Sequence, residues 1–146
     1  MTVLPPPFPC KDPKLLKLTN QLQSDYPDFV FNHGKKFAWR APRTIIIGPP
    51  EPHSELLLLH ELAHALLKHQ NYHLDIDRLK MESAAWAKAK TLCQKYHIPW
   101  DEDVAEQELD TYRDWLHQKS RCPVCGLTRF QTTSGYHCPR CEEFIS

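Results

Sequence analysis

The first apolar pattern in the chain has the spacing of a helix. Its apolar members recur every three or four residues, at Leu15, Leu18 and Leu22. Asp12-Pro13 precedes them and supplies an N-cap and a proline at the first helical position. The pattern ends at residues 25–28, Asp-Tyr-Pro-Asp. A short amphipathic helix is therefore predicted here.

Strand-like runs follow, separated by residues that favour turns. The runs cover residues 29–31, 36–39 and 44–47, and His33-Gly34 and Pro42 lie between them. We expect these three runs to form a small antiparallel sheet.

Three more helices are predicted after Gly-Pro-Pro-Glu-Pro at residues 48–52, which ends the last strand-like run. The first covers about residues 55–69 and can be capped by Ser54. The second runs from residue 77 or 78 to about residue 96, and the third from near residue 101 to about residue 119. The predicted fold class is α+β, with the sheet before these helices.

The helix over residues 55–69 carries a metal-ligand pattern, His60-Glu-Leu-Ala-His64. Residues four apart lie on one helix face, with about 5–6 Å between their Cβ atoms, so both histidines can bind one zinc ion. Glu61 lies about 100° further round the helix, where it can reach a water molecule at the metal and act as a general base. Apolar residues surround the motif, so burying the histidines without a metal would be costly.

Catalytic zinc sites take three protein ligands and leave a position for water. Glu82 is the candidate third ligand, because it lies on the apolar stripe of the next helix, where a carboxylate needs a cation. This stripe comprises Leu79, Glu82, Trp86, Ala89, Cys93 and Tyr96. The alternative is a salt bridge from Glu82 to Arg78 or Lys80. Asp77 and His73 are then the substitute ligands.

Four of the six cysteines form two Cys-x-x-Cys pairs separated by twelve residues: Cys122, Cys125, Cys138 and Cys141. Such pairs are typical of a structural zinc site, in which four thiolates leave no position for water. We predict a zinc ribbon over residues 120–146, with disulfides or redox chemistry as the alternative. Cys93 is assigned to the core, and Cys10 has no assigned role.

The motif at residues 60–64, followed by Glu82-Ser-Ala-Ala-Trp86 on the next helix, resembles the minimal gluzincins of the ImmA/IrrE type. The resemblance covers roughly residues 12–118 and implies a zincin-like peptidase domain, assigned here to residues 12–119. In that family the sheet edge before the motif helix holds the substrate as an added strand. This implies substrate-binding residues Thr44, Ile45, Ile46 and Ile47.

The surroundings of the zinc ligands are less well defined by the sequence. Larger gluzincins often carry an acid four residues after the ligand glutamate, to orient a zinc histidine, whereas this chain has Trp86 there. Asp75 and Asp77 are possible replacements. Tyr72, His73 and Tyr112 are candidates to stabilise the oxyanion, and the sequence does not choose among them.

Charge and composition limit the partners. Eighteen Lys and Arg balance eighteen Asp and Glu among the 146 residues, so no global positive charge attracts nucleic acid. Residues 119–146 hold four basic and two acidic residues, which permits local contact with nucleic acid or protein.

A mean hydropathy of −0.55 and the lack of a secretory leader predict a cytoplasmic protein with no membrane contact. Residues 1–11 are proline-rich and are treated as a separate segment.

The expected function is that of a zinc-dependent endopeptidase acting on an intracellular protein, such as a regulator, with one catalytic and one structural zinc ion. One alternative is a SprT-like protease, which acts on DNA-bound proteins, also carries a zinc ribbon and has a histidine as third ligand. The other is a non-catalytic binding module in which both zinc ions are structural. Glu61 argues against that module, because a structural site needs no acid beside its metal.

Overall fold

The structure is a computed structural model that describes residues 12–142, so the proline-rich segment predicted for residues 1–11 lies outside the described part. Four helices and two small sheets are described, which confirms the α+β class. The helices are α1 (Pro13–Asp25), α2 (Ser54–Leu66), α3 (Asp75–Tyr96) and α4 (Glu102–Ser120). The strands are β1 (Val30–His33), β2 (Ala38–Arg40), β3 (Thr44–Ile47), β4 (Phe130–Thr132) and β5 (Gly135–His137). Within residues 12–142, no helix combines the length and apolar character that a membrane crossing requires.

Helix α1 forms as its sequence predicts. The Asp12 carboxylate accepts hydrogen bonds from the backbone N–H groups of Lys14 and Leu15, and Pro13 opens the helix. Its leucine stripe is buried and faces α2 and β1. The cap fixes where the helix begins, and the stripe fixes which face enters the core.

The sheet formed by β1, β2 and β3 is mixed, so the prediction of an antiparallel sheet is wrong for one of its two pairings. The strand order is β1-β3-β2, with β3 parallel to β1 and antiparallel to β2. The reason lies in β3, where Ile45, Ile46 and Ile47 are all buried. An uninterrupted apolar run suits a central strand that is covered on both faces. Val30 of β1 is 40% exposed, as suits an edge.

The chain divides into two compact units. The first runs to Gln70 and resumes over Ala84–Trp100, and the second contains Asn71–Ser83 and the described chain from Asp101 onward. Helix α3 contributes residues to both units. The predicted domain boundary after residue 119 stays a prediction.

The motif helix α2 is central to the first unit. It faces α1, β2 and β3, and its apolar residues are buried on almost every side: Leu56, Leu58, Leu59, Leu62, Ala63 and Ala65. Truncation of such a leucine to alanine typically costs about 2–5 kcal/mol. Because α2 is held this firmly, its polar side chains have fixed positions.

Cys93 on α3 is also buried, and burial raises the pKa of its thiol to about 11. Its assignment to the core is confirmed.

Candidate metal centres

Three predicted ligands come together: His60 and His64 from α2, and Glu82 from α3. One ligand atom from each lies within 4.8 Å of the other two, near the spacing of about 3–4 Å that ligands to one zinc ion adopt. Each residue is at most 8% exposed. Two imidazoles and a carboxylate are a donor set that suits zinc. The three side chains therefore fit a metal ion.

The imidazole of His60 is held by an aromatic contact. Trp86, four residues after Glu82 on α3, stacks on it with the ring planes 9° apart. The Trp86 indole N–H has no hydrogen-bond partner among the described residues. Trp86 therefore contacts His60 through the face of its ring. The Nδ1 atom of His60 lies 3.5 Å from Oε1 of Glu61. Glu61 is thus beside the three-ligand cluster without belonging to it.

The imidazole of His64 is held by a residue that the sequence analysis did not select. Nδ1 of His64 lies 2.9 Å from Nδ1 of His69, within hydrogen-bond distance. The prediction extended α2 to residue 69, which would carry His69 away from the site. The helix instead ends at Leu66, and Lys68 takes a left-handed conformation with φ of 57°. The reversal brings His69 back onto the last turn.

Glu82 has its own supporting residues within the second unit. Tyr112 on α4 lies close enough to Glu82 and Arg78 for both groups to act on its hydroxyl. Burial and the charge of the Glu82 carboxylate raise the pKa of Tyr112, which keeps its hydroxyl protonated and able to donate. The Arg78 guanidinium lies 5.7 Å, 5.2 Å and 5.3 Å from the ring centroids of Tyr72, Tyr112 and Trp115. A cation held by three rings fixes this side of α3.

Several predicted site residues lie elsewhere. His73 is exposed and does not belong to the cluster of His60, His64 and Glu82. Asp77 accepts a hydrogen bond from the backbone N–H of Leu74 at the start of α3. Asp75 accepts a hydrogen bond from the Tyr136 hydroxyl at 2.6 Å and pairs with Lys119 at 3.0 Å. Both aspartates therefore stabilise the second unit, in place of the predicted role beside a zinc histidine.

The predicted substrate-binding residues, Thr44, Ile45, Ile46 and Ile47, form β3. This strand is paired with β1 along its whole length and with β2 over three of its four residues. Its backbone groups are already committed to two neighbours, so it cannot accept an added strand there. The prediction of an exposed edge at β3 is wrong, because β1 and β2 are the outer strands of this sheet among residues 12–142.

The second candidate centre is the four-cysteine cluster, Cys122, Cys125, Cys138 and Cys141. Sγ of Cys122 lies 3.8 Å from Sγ of Cys141, and Sγ of Cys125 lies 3.5 Å from Sγ of Cys138. Four thiolates around one zinc ion are about 3.8 Å apart, whereas a disulfide bond measures about 2.05 Å. The cluster thus has the spacing of a tetrahedral metal site, and all four cysteines are free.

Electrostatics in the cluster also suit a cation. Hydrogen bonds from the backbone of Cys125 and Val124 lower the pKa of Cys122 to about 6. Hydrogen bonds with Cys138 and Cys125 raise the pKa of Cys141 to about 12. Sulfurs this close cannot all ionise without a positive charge between them. The cluster can therefore hold a metal ion, and an ion there would stabilise all four thiolates.

Beside the cluster, a hairpin of β4 and β5 contacts the start of α3 within the second unit. The Gln131 side chain accepts a hydrogen bond from the backbone N–H of Asp75 at 2.7 Å, and Tyr136 binds the Asp75 carboxylate. Arg129 lies over the Tyr136 ring and donates to the backbone carbonyl of Lys119. The hairpin is thus attached to the helix that carries Glu82.

No protein-family model matches the chain, and neither a curated protein nor a solved structure matches it. The resemblance to minimal gluzincins stays a prediction from the residues at 60–64 and 82–86. The geometry of the two candidate metal centres is the basis for the functional proposal.

Proposed function

We propose that this protein is a zinc-dependent endopeptidase. The observation that carries the proposal is the convergence of His60, His64 and Glu82 within 4.8 Å, with the Glu61 carboxylate beside them. Two histidines and one carboxylate leave a fourth position for water, which distinguishes catalytic from structural zinc sites. The Glu61 side chain is 14% exposed, so it is accessible to a substrate while largely desolvated.

The chemistry divides between the metal and Glu61. When bound, zinc supplies a Lewis acid that acidifies water and polarises the carbonyl of a peptide bond. Glu61 takes the proton of the attacking water and returns it to the nitrogen of the leaving amine. His60, His64 and Glu82 hold the site, and neither Glu61 oxygen is needed for that task. Loss of Glu61 should therefore separate catalysis from metal binding.

The third ligand favours the gluzincin pattern over the SprT-like pattern. A SprT-like site takes a histidine, and the candidate His73 lies outside the cluster, whereas Glu82 lies within it. Tyr112, whose pKa is raised by burial and by the charge of Glu82, is a neighbour of the kind that ligating carboxylates use. The non-catalytic alternative would need Glu61 for a structural contact, but its Oε1 lies 3.5 Å from Nδ1 of His60, beyond the usual hydrogen-bond distance of about 2.7–3.2 Å.

The outer edge of β2 is the place where a substrate strand would add. Its residues Ala38–Arg40 pair on one side with β3, and β2 faces α2. The Trp39 indole donates a hydrogen bond of 2.7 Å to the backbone carbonyl of His69, just beyond the motif helix. A peptide paired with β2 would thus run beside α2, the helix that carries His60, Glu61 and His64.

The four-cysteine cluster is proposed to be a structural zinc ribbon. Its four sulfurs complete the coordination of a zinc ion, so no position is left for a reacting water molecule. The proposed role is to stabilise the second unit, including the start of α3. Its basic residues, Arg121, Arg129 and Arg140, permit local contact with a protein partner or nucleic acid, but the small net charge favours the structural role.

The test combines metal content with peptide cleavage. We expect two zinc ions per chain in the wild type, one in His64→Ala and one in Cys122→Ser. A mixed library of fluorogenic peptides should be cleaved by the wild type and not by Glu61→Gln, which should retain two zinc ions. Equal cleavage by Glu61→Gln, or no cleavage by the fully loaded wild type, would contradict the proposal.

A further inference from the structure

The end of α2 is closed by a pair of hydrogen bonds that return the chain onto its last turn. The backbone N–H of His69 donates to the carbonyl of His64 at 3.0 Å, and that of Lys68 donates to the carbonyl of Ala65 at 3.1 Å. With Lys68 in the left-handed conformation, this is the Schellman arrangement of a helix C-terminus. In that arrangement the residue after the left-handed position contacts the side chain five positions earlier. Here that pair is His69 and His64.

The two rings meet through their Nδ1 atoms. Nδ1 of His64 and Nδ1 of His69 are 2.9 Å apart, with ring centroids 5.1 Å apart and planes 65° from parallel. A neutral imidazole carries one proton, so one of these nitrogens donates and the other accepts. A histidine that binds a metal through Nε2 has its proton on Nδ1, and its orientation depends on the acceptor of that proton.

We propose that His69 is a positioning residue for the metal centre: its Nδ1 accepts the Nδ1 proton of His64 and thereby directs the Nε2 lone pair of His64 at the metal. This inference rests on the proposed function. The backbone of His69 is held at both its N–H group and its carbonyl. Its N–H bonds to His64, and its carbonyl accepts the hydrogen bond from the indole of Trp39 on β2.

The position of His69 makes the contact rigid. Trp39 belongs to a strand of the sheet and is itself half-buried, so it anchors the residue that orients His64. Both His64 and Trp39 belong to the first unit, as does His69. The acceptor is therefore supplied by the same folded unit that supplies the motif helix.

The test compares two replacements of His69 with one control. In His69→Asn the side-chain oxygen can still accept the His64 proton, whereas in His69→Phe the ring keeps its bulk and loses the acceptor. His97→Asn is the matched control, because His97 is exposed and its φ of 56° suits asparagine. Titration with Co²⁺ separates the two centres, since only the four-cysteine cluster gives thiolate charge-transfer absorption.

We expect His69→Phe to weaken Co²⁺ binding at the histidine centre by roughly 10–100-fold, as loss of such a partner typically does. The Co²⁺ affinity of His69→Asn should stay within about threefold of the wild-type value, because the acceptor is kept. The Co²⁺ affinity of His97→Asn should equal that of the wild type. The second measurement uses protein in which only the cysteine cluster is filled. Two-bond ¹H–¹⁵N correlations should show the His64 proton on Nδ1 in the wild type and His69→Asn, and on Nε2 in a substantial fraction of His69→Phe.

The outcomes separate this inference from the proposed function. A wild type that binds Co²⁺ only at the cysteines would overturn both. Unchanged Co²⁺ affinity and an unchanged His64 tautomer in His69→Phe would overturn the role of His69 alone. Equal weakening in His69→Asn and His69→Phe would also overturn it, because the effect would then come from ring packing. Intact charge-transfer absorption and circular dichroism in each variant would confirm that the chain is folded.

Discussion

The indole of Trp86 lies flat on the imidazole of His60, with the ring centroids 4.0 Å apart. Trp86 is 2% exposed, so this face-to-face contact is part of the core. A carboxylate at this position would hold a histidine through one hydrogen bond, whereas the indole restricts the plane of the ring. The two histidines of the motif are thus oriented by different means, His60 by stacking and His64 by a hydrogen bond.

Replacement of Trp86 by leucine should remove the stacking face and leave a cavity. We expect the free energy of unfolding to fall by about 2–4 kcal/mol, near the range for large-to-small changes at buried aromatics. We also expect weaker zinc binding at the histidine centre, with a smaller loss in Trp86→Phe. Urea unfolding with a chelator present and competitive zinc titration measure the two effects.

Leu92→Ala is the control for Trp86. Leu92 is buried on the same helix, so its loss should cost about 2–5 kcal/mol without affecting the plane of His60. Its zinc affinity should match the wild type. If Leu92→Ala and Trp86→Leu weaken zinc binding equally, the effect of Trp86 is one of general stability.

The third ligand can be identified by comparing Glu82→Ala with His73→Ala. Because Glu82 lies in the three-residue cluster and His73 is exposed, we expect one zinc ion per chain in Glu82→Ala and two in His73→Ala. Atomic absorption on dialysed protein gives the count. The opposite result would identify His73 as the ligand and favour the SprT-like pattern.

The sequence was sufficient for the parts of the site that depend on helix periodicity. The spacing of His60 and His64 sets their common face wherever the helix lies, and Glu82 shares a stripe with Trp86 because they are one turn apart. The four cysteines were similarly identified by spacing alone. Local geometry determines these relations, so no knowledge of the tertiary structure was needed.

The sequence was insufficient where the answer depends on chain reversal or strand order. Glycine often marks a helix end, but the left-handed residue that follows α2 is Lys68, so the return of His69 had no visible marker. The sheet posed a different difficulty. The sequence pattern shows that β3 is apolar, but it does not show which strands lie on either side of β3. Placing it between β1 and β2 required the tertiary structure.

Asp75 should make the second unit sensitive to acid. Burial raises its pKa, but the hydrogen bond from Tyr136 and the charge of Lys119 outweigh that effect and hold the pKa below its ordinary value. A carboxylate whose pKa is lower in the folded state stabilises the protein at every pH above its unfolded-state pKa of about 3.9. This stabilisation is lost as the pH falls through the folded-state pKa. Asp75→Asn should therefore cost about 1–3 kcal/mol at pH 7.

The pH dependence of that difference is the decisive observation. Urea unfolding of the wild type and Asp75→Asn should give free energies that begin to converge as the pH falls below about 4 and that meet below the folded-state pKa of Asp75. Metal loss from the cysteines at low pH affects both proteins and largely cancels in the difference. Asp110→Asn, at an exposed ion pair with Arg113, should change stability by at most about 1 kcal/mol. A constant difference between pH 7 and pH 3 would contradict the assignment.

The left-handed conformation of Lys68 predicts a stabilising substitution. A residue with a Cβ atom pays roughly 1 kcal/mol for this conformation, and glycine does not. Lys68→Gly should therefore raise the free energy of unfolding by up to about 1 kcal/mol, after the greater chain entropy of unfolded glycine is deducted. Lys80→Gly, at an exposed position inside α3, should lower it by about 1 kcal/mol. Urea unfolding of both variants measures this contrast between a helix terminus and a helix interior. Equal destabilisation by the two substitutions would mean that α2 does not end in the reversal that places His69 against His64.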